Sequence, residues 1–119
     1  MIKKVLVVGA SENPLRYSNK AIIKLCENNH KVFAFGNRPG EVMGIEISTK
    51  FPSHKIDTIT IYLSAKNQKQ YYKEIIALNP IRIIFNPGAE NEELSSLAKK
   101  KSIKVMNACT LVMLSIGNF

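Results

Sequence analysis

The chain is predicted to be an α/β domain, a doubly wound parallel sheet with helices on both faces, and three observations predict it. Short apolar runs rich in β-branched residues recur roughly every 25 residues, the spacing of right-handed βαβ units. Stretches of helical period lie between them. The first run ends in Val8-Gly9-Ala10-Ser11-Glu12-Asn13-Pro14, which leads into a helix pattern and reads as the opening of a mononucleotide-binding unit. The expected strand order is 3-2-1-4-5-6, with strand 3 short or irregular, in one domain spanning residues 1–119.

Each element follows from its residues. Ile2, Val5, Leu6, Val7 and Val8 form a nearly unbroken apolar run, as in a strand buried on both faces. Ser18 is the expected N-cap of a helix that carries Ala21, Ile22, Leu25 and Cys26 and stops near Asn29. Lys31 to Phe35 reads as the second strand. The glycines and prolines between Gly36 and His54 predict loop, with at most a short edge strand near Ile45 to Ile47. Ile56 to Leu63 is β-branched and alternating, hence a strand. A helix is predicted from Lys66 to Leu78, ended by Asn79-Pro80. Ile81 to Phe85 is a strand, Asn91 to Lys101 a helix, and Lys104 to Asn107 the last strand.

Composition excludes several classes. With 45% apolar and 22% charged residues, neither disorder nor a fibrous repeat is indicated. The longest apolar runs fall well short of the roughly 20 residues that span a bilayer, and the N-terminus lacks the apolar stretch of a signal peptide, so a cytoplasmic protein is expected. Cys26 and Cys109 form no C-x-x-C pair, which removes support for a zinc site or a disulfide framework. A net charge of +8 attracts anions. The lysines are scattered, however, and the Lys99-Lys100-Lys101 run sits where it complements a helix dipole. Without an RNP, KH or helix-turn-helix signature, nucleic acid is not the expected partner.

In a sheet of this kind the ligand crevice lies beyond the carboxyl ends of the strands, where the winding reverses beside strand 1. Gly9 stands where a side chain would obstruct a phosphate approaching the following amides, and Ala10 and Ser11 complete that turn. The glycine spacing is not that of a dinucleotide fingerprint, because Ser11 and Pro14 occupy positions where G-x-G-x-x-G needs glycine. Arg16, followed by Tyr17 and Ser18, is within reach of an anion at that corner, or is simply solvated. After strand 2 the chain reads Phe35-Gly36-Asn37-Arg38 and offers no carboxylate before Glu41. Arginine there suits a phosphorylated ribose, as in NADP or coenzyme A. Tyr62 and Leu63 end the fourth strand at the same edge, as do Asn86-Pro87-Gly88 and Asn107 for the next two. Asn86 and Asn107 are able to bond a ligand amide or to tie two loops together. Cys109 has no paired histidine, His30 and His54 fall away from the crevice, and Glu90, Glu92 and Glu93 suit a helix start. The chain thus offers binding groups without an acid, base or nucleophile constellation.

Four blocks carry a resemblance that covers nearly the whole chain. They are Gly9-Ala10-Ser11-Glu12-Asn13-Pro14 with Arg16-Tyr17-Ser18, Arg38-Pro39-Gly40-Glu41-Val42-Met43-Gly44, Asn86-Pro87-Gly88-Ala89-Glu90-Asn91-Glu92-Glu93-Leu94, and Asn107-Ala108-Cys109-Thr110-Leu111-Val112-Met113-Leu114. In this order they resemble small stand-alone CoA-binding domain proteins, similar to the N-terminal CoA-binding domain of the succinyl-CoA synthetase alpha subunit. The resemblance implies a Rossmann-like fold that binds coenzyme A or an acyl-CoA. The Gly9 to Ser11 turn would hold the pyrophosphate, Arg38 would face the ribose phosphate, and Asn86 to Gly88 would line the pantetheine path. The large synthetases use a phosphorylated histidine on a separate domain, so catalysis does not carry over. Longer relatives differ from this chain at Asn107 to Thr110. A non-catalytic CoA-binding module is therefore expected, with an NADP-binding subunit of an oxidoreductase as the alternative. Protein partners and self-association are left open.

Overall fold

The computed structural model describes residues 1–119. Seven strands form one sheet in the order β3-β4-β2-β1-β5-β6-β7. They are β1 Lys4–Val8, β2 Lys31–Phe35, β3 Gly40–Val42, β4 Ile45–Ser48, β5 Thr58–Ile61, β6 Arg82–Phe85 and β7 Lys104–Asn107. All neighbouring pairs are parallel except β3 with β4. The helices are α1 Tyr17–Glu27, α2 Ala65–Gln68, α3 Tyr72–Ala77, α4 Glu92–Lys100 and α5 Thr110–Ser115. The doubly wound Rossmann-like class is as expected. The expected order is extended at one end, where β3 folds back antiparallel on the edge strand β4.

Alternation along the central strands divides the core. Leu6 and Val8 of β1 point to the face covered by Ile75 of α3 and by Leu94 and Ala98 of α4. Val5 and Val7 point to the opposite face, covered by Ile22 and Leu25 of α1 and Leu114 of α5. Period-two strands must place neighbours on opposite faces. All five of Val5, Leu6, Val7, Ile59 and Ile61 are fully buried, so β1 and β5 are the covered centre of the sheet. Burial of each such side chain favours folding by about 1.5–3 kcal/mol.

Several elements differ from the sequence expectation. Helix α1 opens at Tyr17, with Arg16 at the N-cap and no side-chain cap bond; Ser18, expected at the cap, lies buried inside the first turn. Its far end closes with Asn29 left-handed at φ 65°. There the His30 N–H bonds Leu25 O and the Asn29 N–H bonds Cys26 O, the paired bonds that satisfy orphan carbonyls. The predicted Gly36 to His54 loop instead contains a hairpin whose turn is Met43-Gly44, with φ of 53° and 77°. Two positive φ values match the twist of the flanking strands, but methionine gives no hint of one.

The single helix expected from Lys66 to Leu78 is broken by a 3₁₀ turn, Lys69–Tyr71. Residues three apart eclipse in such a turn, which brings Gln68 and Tyr71 to the same side. Gln68 is fully buried and donates to Leu63 O at 2.8 Å and Ala89 O at 2.7 Å. Tyr71 packs edge-on to Phe35 with centroids 5.0 Å apart. Helix α5 was not foreseen: six residues, mostly apolar, show neither a period nor a cap.

At the tip of β2 the packing leaves no room. A Cβ on Gly36 would stand 2.6 Å from Ala10 O and 3.0 Å from Ile47 Cγ2. Because the nearer atom is main chain, it cannot swing aside. Gly36→Ala should therefore cost about 1–3 kcal/mol, measured by chemical denaturation, whereas an unchanged midpoint would mean that the corner is more pliable than its geometry implies.

Candidate functional site

The carboxyl ends of β1, β2 and β5 open into a crevice of about 830 Å³. Of the residues expected at the site, Gly9, Ala10, Ser11, Arg16, Tyr17, Ser18, Arg38, Tyr62, Leu63 and Pro87 line it. The turn after β1 is tightly specified. Gly9 has φ 91°, and a Cβ there would meet Leu63 Cδ2 at 3.2 Å. Its N–H and that of Ala10 both bond Phe35 O at 2.9 Å. These two amides are thus committed to the neighbouring strand, so within the Gly9 to Ser11 turn only the Ser11 N–H is left for a ligand.

The free donors lie further along the loop. The N–H groups of Ser11 and Glu12, and those of Tyr17 and Ser18 in the first turn of α1, have no partner within the protein. The loop is held by its own side chains. Ser11 Oγ accepts the Asn13 N–H at 3.1 Å, Asn13 Oδ1 accepts the Leu15 N–H at 3.0 Å, and Asn19 Nδ2 donates to Ser11 O at 3.0 Å. The Ser11 hydroxyl proton remains available to a ligand. Arg16 and Arg38 are exposed at the rim, where a planar guanidinium suits phosphate oxygens.

The rest of the expected set is placed elsewhere. Pro14, Gly88 and Asn107 are not among the lining residues. Asn86 is corrected in its chemistry: it is buried, Nδ2 donates to Thr60 Oγ1 at 2.7 Å and Ile61 O at 3.0 Å, and Oδ1 accepts the Thr110 N–H at 2.9 Å. It ties the end of β6 to β5 and to the start of α5, one of the two roles open to it from sequence. Asn91 does the same nearby, donating to Gln68 Oε1 at 2.8 Å and capping α4 at the Leu94 N–H.

Sequence reasoning singled out half of the crevice wall and named further residues only as parts of its loops. Glu12, Asn13, Phe35, Gly36, Asn37, Pro39, Ile47, Asn67, Gln70 and Tyr71 also line it. Ile47 and Tyr71 come from segments far along the chain, and no local pattern brings them to the tip of β2. The apolar floor is braced by Phe51, stacked on Phe35 with centroids 4.1 Å apart. No three His, Cys, Asp or Glu side chains come together as a metal centre needs. His30 accepts the Lys3 N–H at 3.1 Å, and His54 stacks on Phe33 at 4.8 Å, both outside the crevice walls. No helix is long and apolar enough to cross a membrane.

These features agree with what the chain is similar to. The CoA binding domain family matches residues 3–115. The chain belongs to that family. The crystal structure of an uncharacterized protein is 40% identical, covers 100% of this chain and 99% of its own, and superposes with a TM-score of 0.96. A hypothetical protein from Pyrococcus horikoshii OT3 is 24% identical over 97% of this chain and 83% of that one, with a TM-score of 0.87. A dinucleotide-forming acetyl-coenzyme A synthetase from Ca. Korarchaeum cryptofilum shares the fold at 19% identity and a TM-score of 0.73, over 89% of this chain and 25% of its own. No curated protein matches the chain.

One wall residue of this CoA-binding domain carries an unusual proton. The Tyr62 hydroxyl is buried without a hydrogen-bond partner. Burial, against the opposing Thr60 and Thr110 hydroxyls, pushes its pKa from 10.0 up to about 12. The folded state therefore holds this proton more tightly than the unfolded chain. Its contribution is intact below pH 10 and is lost as pH rises toward 12. Tyr62→Phe should remove that alkaline loss of stability. At neutral pH it should leave stability unchanged or raise it by up to about 1 kcal/mol, because no bond is broken. Thermal melts between neutral and alkaline pH check both, and a destabilised variant at pH 7 would show that the hydroxyl has a partner.

Proposed function

We propose that the crevice binds coenzyme A or a CoA thioester without catalysing a reaction on it. The observation that carries this reading is the set of unpartnered anion-binding groups around one cavity. The N–H groups of Ser11, Glu12, Tyr17 and Ser18 and the guanidiniums of Arg16 and Arg38 border the same space. Main-chain donors at a helix start, added to the positive end of its dipole, suit a pyrophosphate. Arg38, at the tip of β2, suits the phosphorylated ribose.

The remaining walls fit the remaining parts of the ligand. Ile47 and Tyr71 offer apolar surface to the adenine. Tyr62, Leu63 and Pro87, on the side of β5 and β6, border a path for the pantetheine arm. A volume of about 830 Å³ lies within the usual range for ligand sites. The cavity walls include no histidine or cysteine, and Glu12 is their one acid. Such a set supports a carrier, sensor or regulatory module, with any chemistry on the acyl group supplied by another protein.

Isothermal titration with CoA, 3′-dephospho-CoA and NADPH tests the reading. CoA should bind tightest, and Arg38→Ala should weaken CoA by roughly 10- to 150-fold, the range for a charged hydrogen bond, while leaving 3′-dephospho-CoA nearly unchanged. Equal loss for both ligands would remove the role given to Arg38. Tighter binding of NADPH than of CoA would favour an NADP-linked subunit instead.

A further inference from the structure

The only acidic side chain lining the crevice is Glu12, and it links the loop after β1 to the start of β3. It leaves the loop after β1, crosses to the start of β3, and rests on Gly40. Its Oε2 accepts the Glu41 N–H at 2.9 Å. A Cβ on Gly40 would stand 2.5 Å from Glu12 Cδ and 2.9 Å from Oε1, so the carboxylate covers the surface that a side chain at position 40 would occupy. Arg38 lies two residues before Gly40, in the loop between β2 and β3. The hydrogen bond goes to a neutral main-chain N–H, which does not cancel the carboxylate's charge.

Sequence reading finds no carboxylate at the tip of β2 before Glu41; the fold delivers one from the preceding loop. We infer that Glu12 is a specificity-determining strap: a carboxylate that clips the β1 loop to the β2 loop and disfavours a phosphate settling against Arg38. The inference rests on the CoA reading above. A phosphorylated adenosine ribose must enter against that charge or push the side chain off Gly40. A ligand lacking the ribose phosphate presents only its pyrophosphate, at the main chain of the β1 loop, and meets that charge less strongly. The discrimination that Arg38 provides in favour of CoA is therefore held below what a lone guanidinium would give.

Substitution at two positions separates the charge from the contact. Glu12→Gln keeps an oxygen acceptor for the Glu41 N–H and almost the same volume but removes the charge. Titration calorimetry at low ionic strength should find CoA bound roughly five- to tenfold more tightly by Glu12→Gln than by the unaltered protein. Binding of 3′-dephospho-CoA should change less than about twofold, and the gain for CoA should shrink as salt approaches 0.15 M, where the screening length is about 8 Å. Gly40→Ala, which drives the flexible end of Glu12 away, should give a gain of the same sign. The double variant should add nothing to Glu12→Gln, because both changes act through one carboxylate.

Unchanged or weaker CoA binding by Glu12→Gln would overturn the strap and leave the CoA reading standing. A double variant that gains the product of the two single effects would overturn it as well. Failure of both the unaltered protein and Glu12→Gln to bind CoA would overturn the CoA reading itself, and the strap with it.

Discussion

The Phe35 carbonyl holds the site together. It receives the N–H groups of both Gly9 and Ala10 at 2.9 Å and so fastens the corner after β1 to the tip of β2. With these donors used, the loop must continue outward before free amides are exposed, at Ser11, Glu12 and the start of α1. Gly36 fits beneath Ala10 O only because it has no side chain. Both loops therefore leave the sheet from fixed points, and the crevice forms between them. The reversal of winding beside β1 creates the opening, and this one bifurcated acceptor sets its width.

A second frame supports the other wall. Asn86 joins β5, β6 and α5 through three buried hydrogen bonds, and Gln68 joins the start of α2 to the loop before α4. Buried amides of this kind are costly unless fully paired, and these are paired at every end. They explain why Pro87 alone of the Asn86 to Gly88 segment reaches the cavity: the asparagine before it is spent on scaffolding. Binding groups thus project from walls braced by fully paired side-chain amides.

The parts of this fold that are legible in sequence are those governed by local chemistry. The short apolar runs announce β1, β2, β5, β6 and β7, and Asn91 with Glu92 and Glu93 announces α4, where the asparagine does cap the helix. The hairpin of β3 and β4 is hidden because glycines and prolines normally mark loops, and because Met43 adopts a left-handed turn that its side chain does not favour. The break between α2 and α3 is hidden because its cause, Gln68 bonding to Leu63 and Ala89, is a tertiary contact. At the site, the loops were legible from topology, as was the presence of Gly9, Ser11 and Arg38. Which amides are free was not, since that depends on where the Phe35 carbonyl lies. Nor was the placement of Glu12, whose carboxylate accepts an N–H 29 residues away.

Backbone amide chemical shifts during a titration with CoA test this account most directly. The account predicts that the N–H resonances of Ser11, Glu12, Tyr17 and Ser18 move most, with Asn37 and Arg38 following, while those of Gly9 and Ala10 remain bonded and slow to exchange. Shifts confined to residues away from the crevice, or a spectrum that CoA leaves untouched, would contradict it.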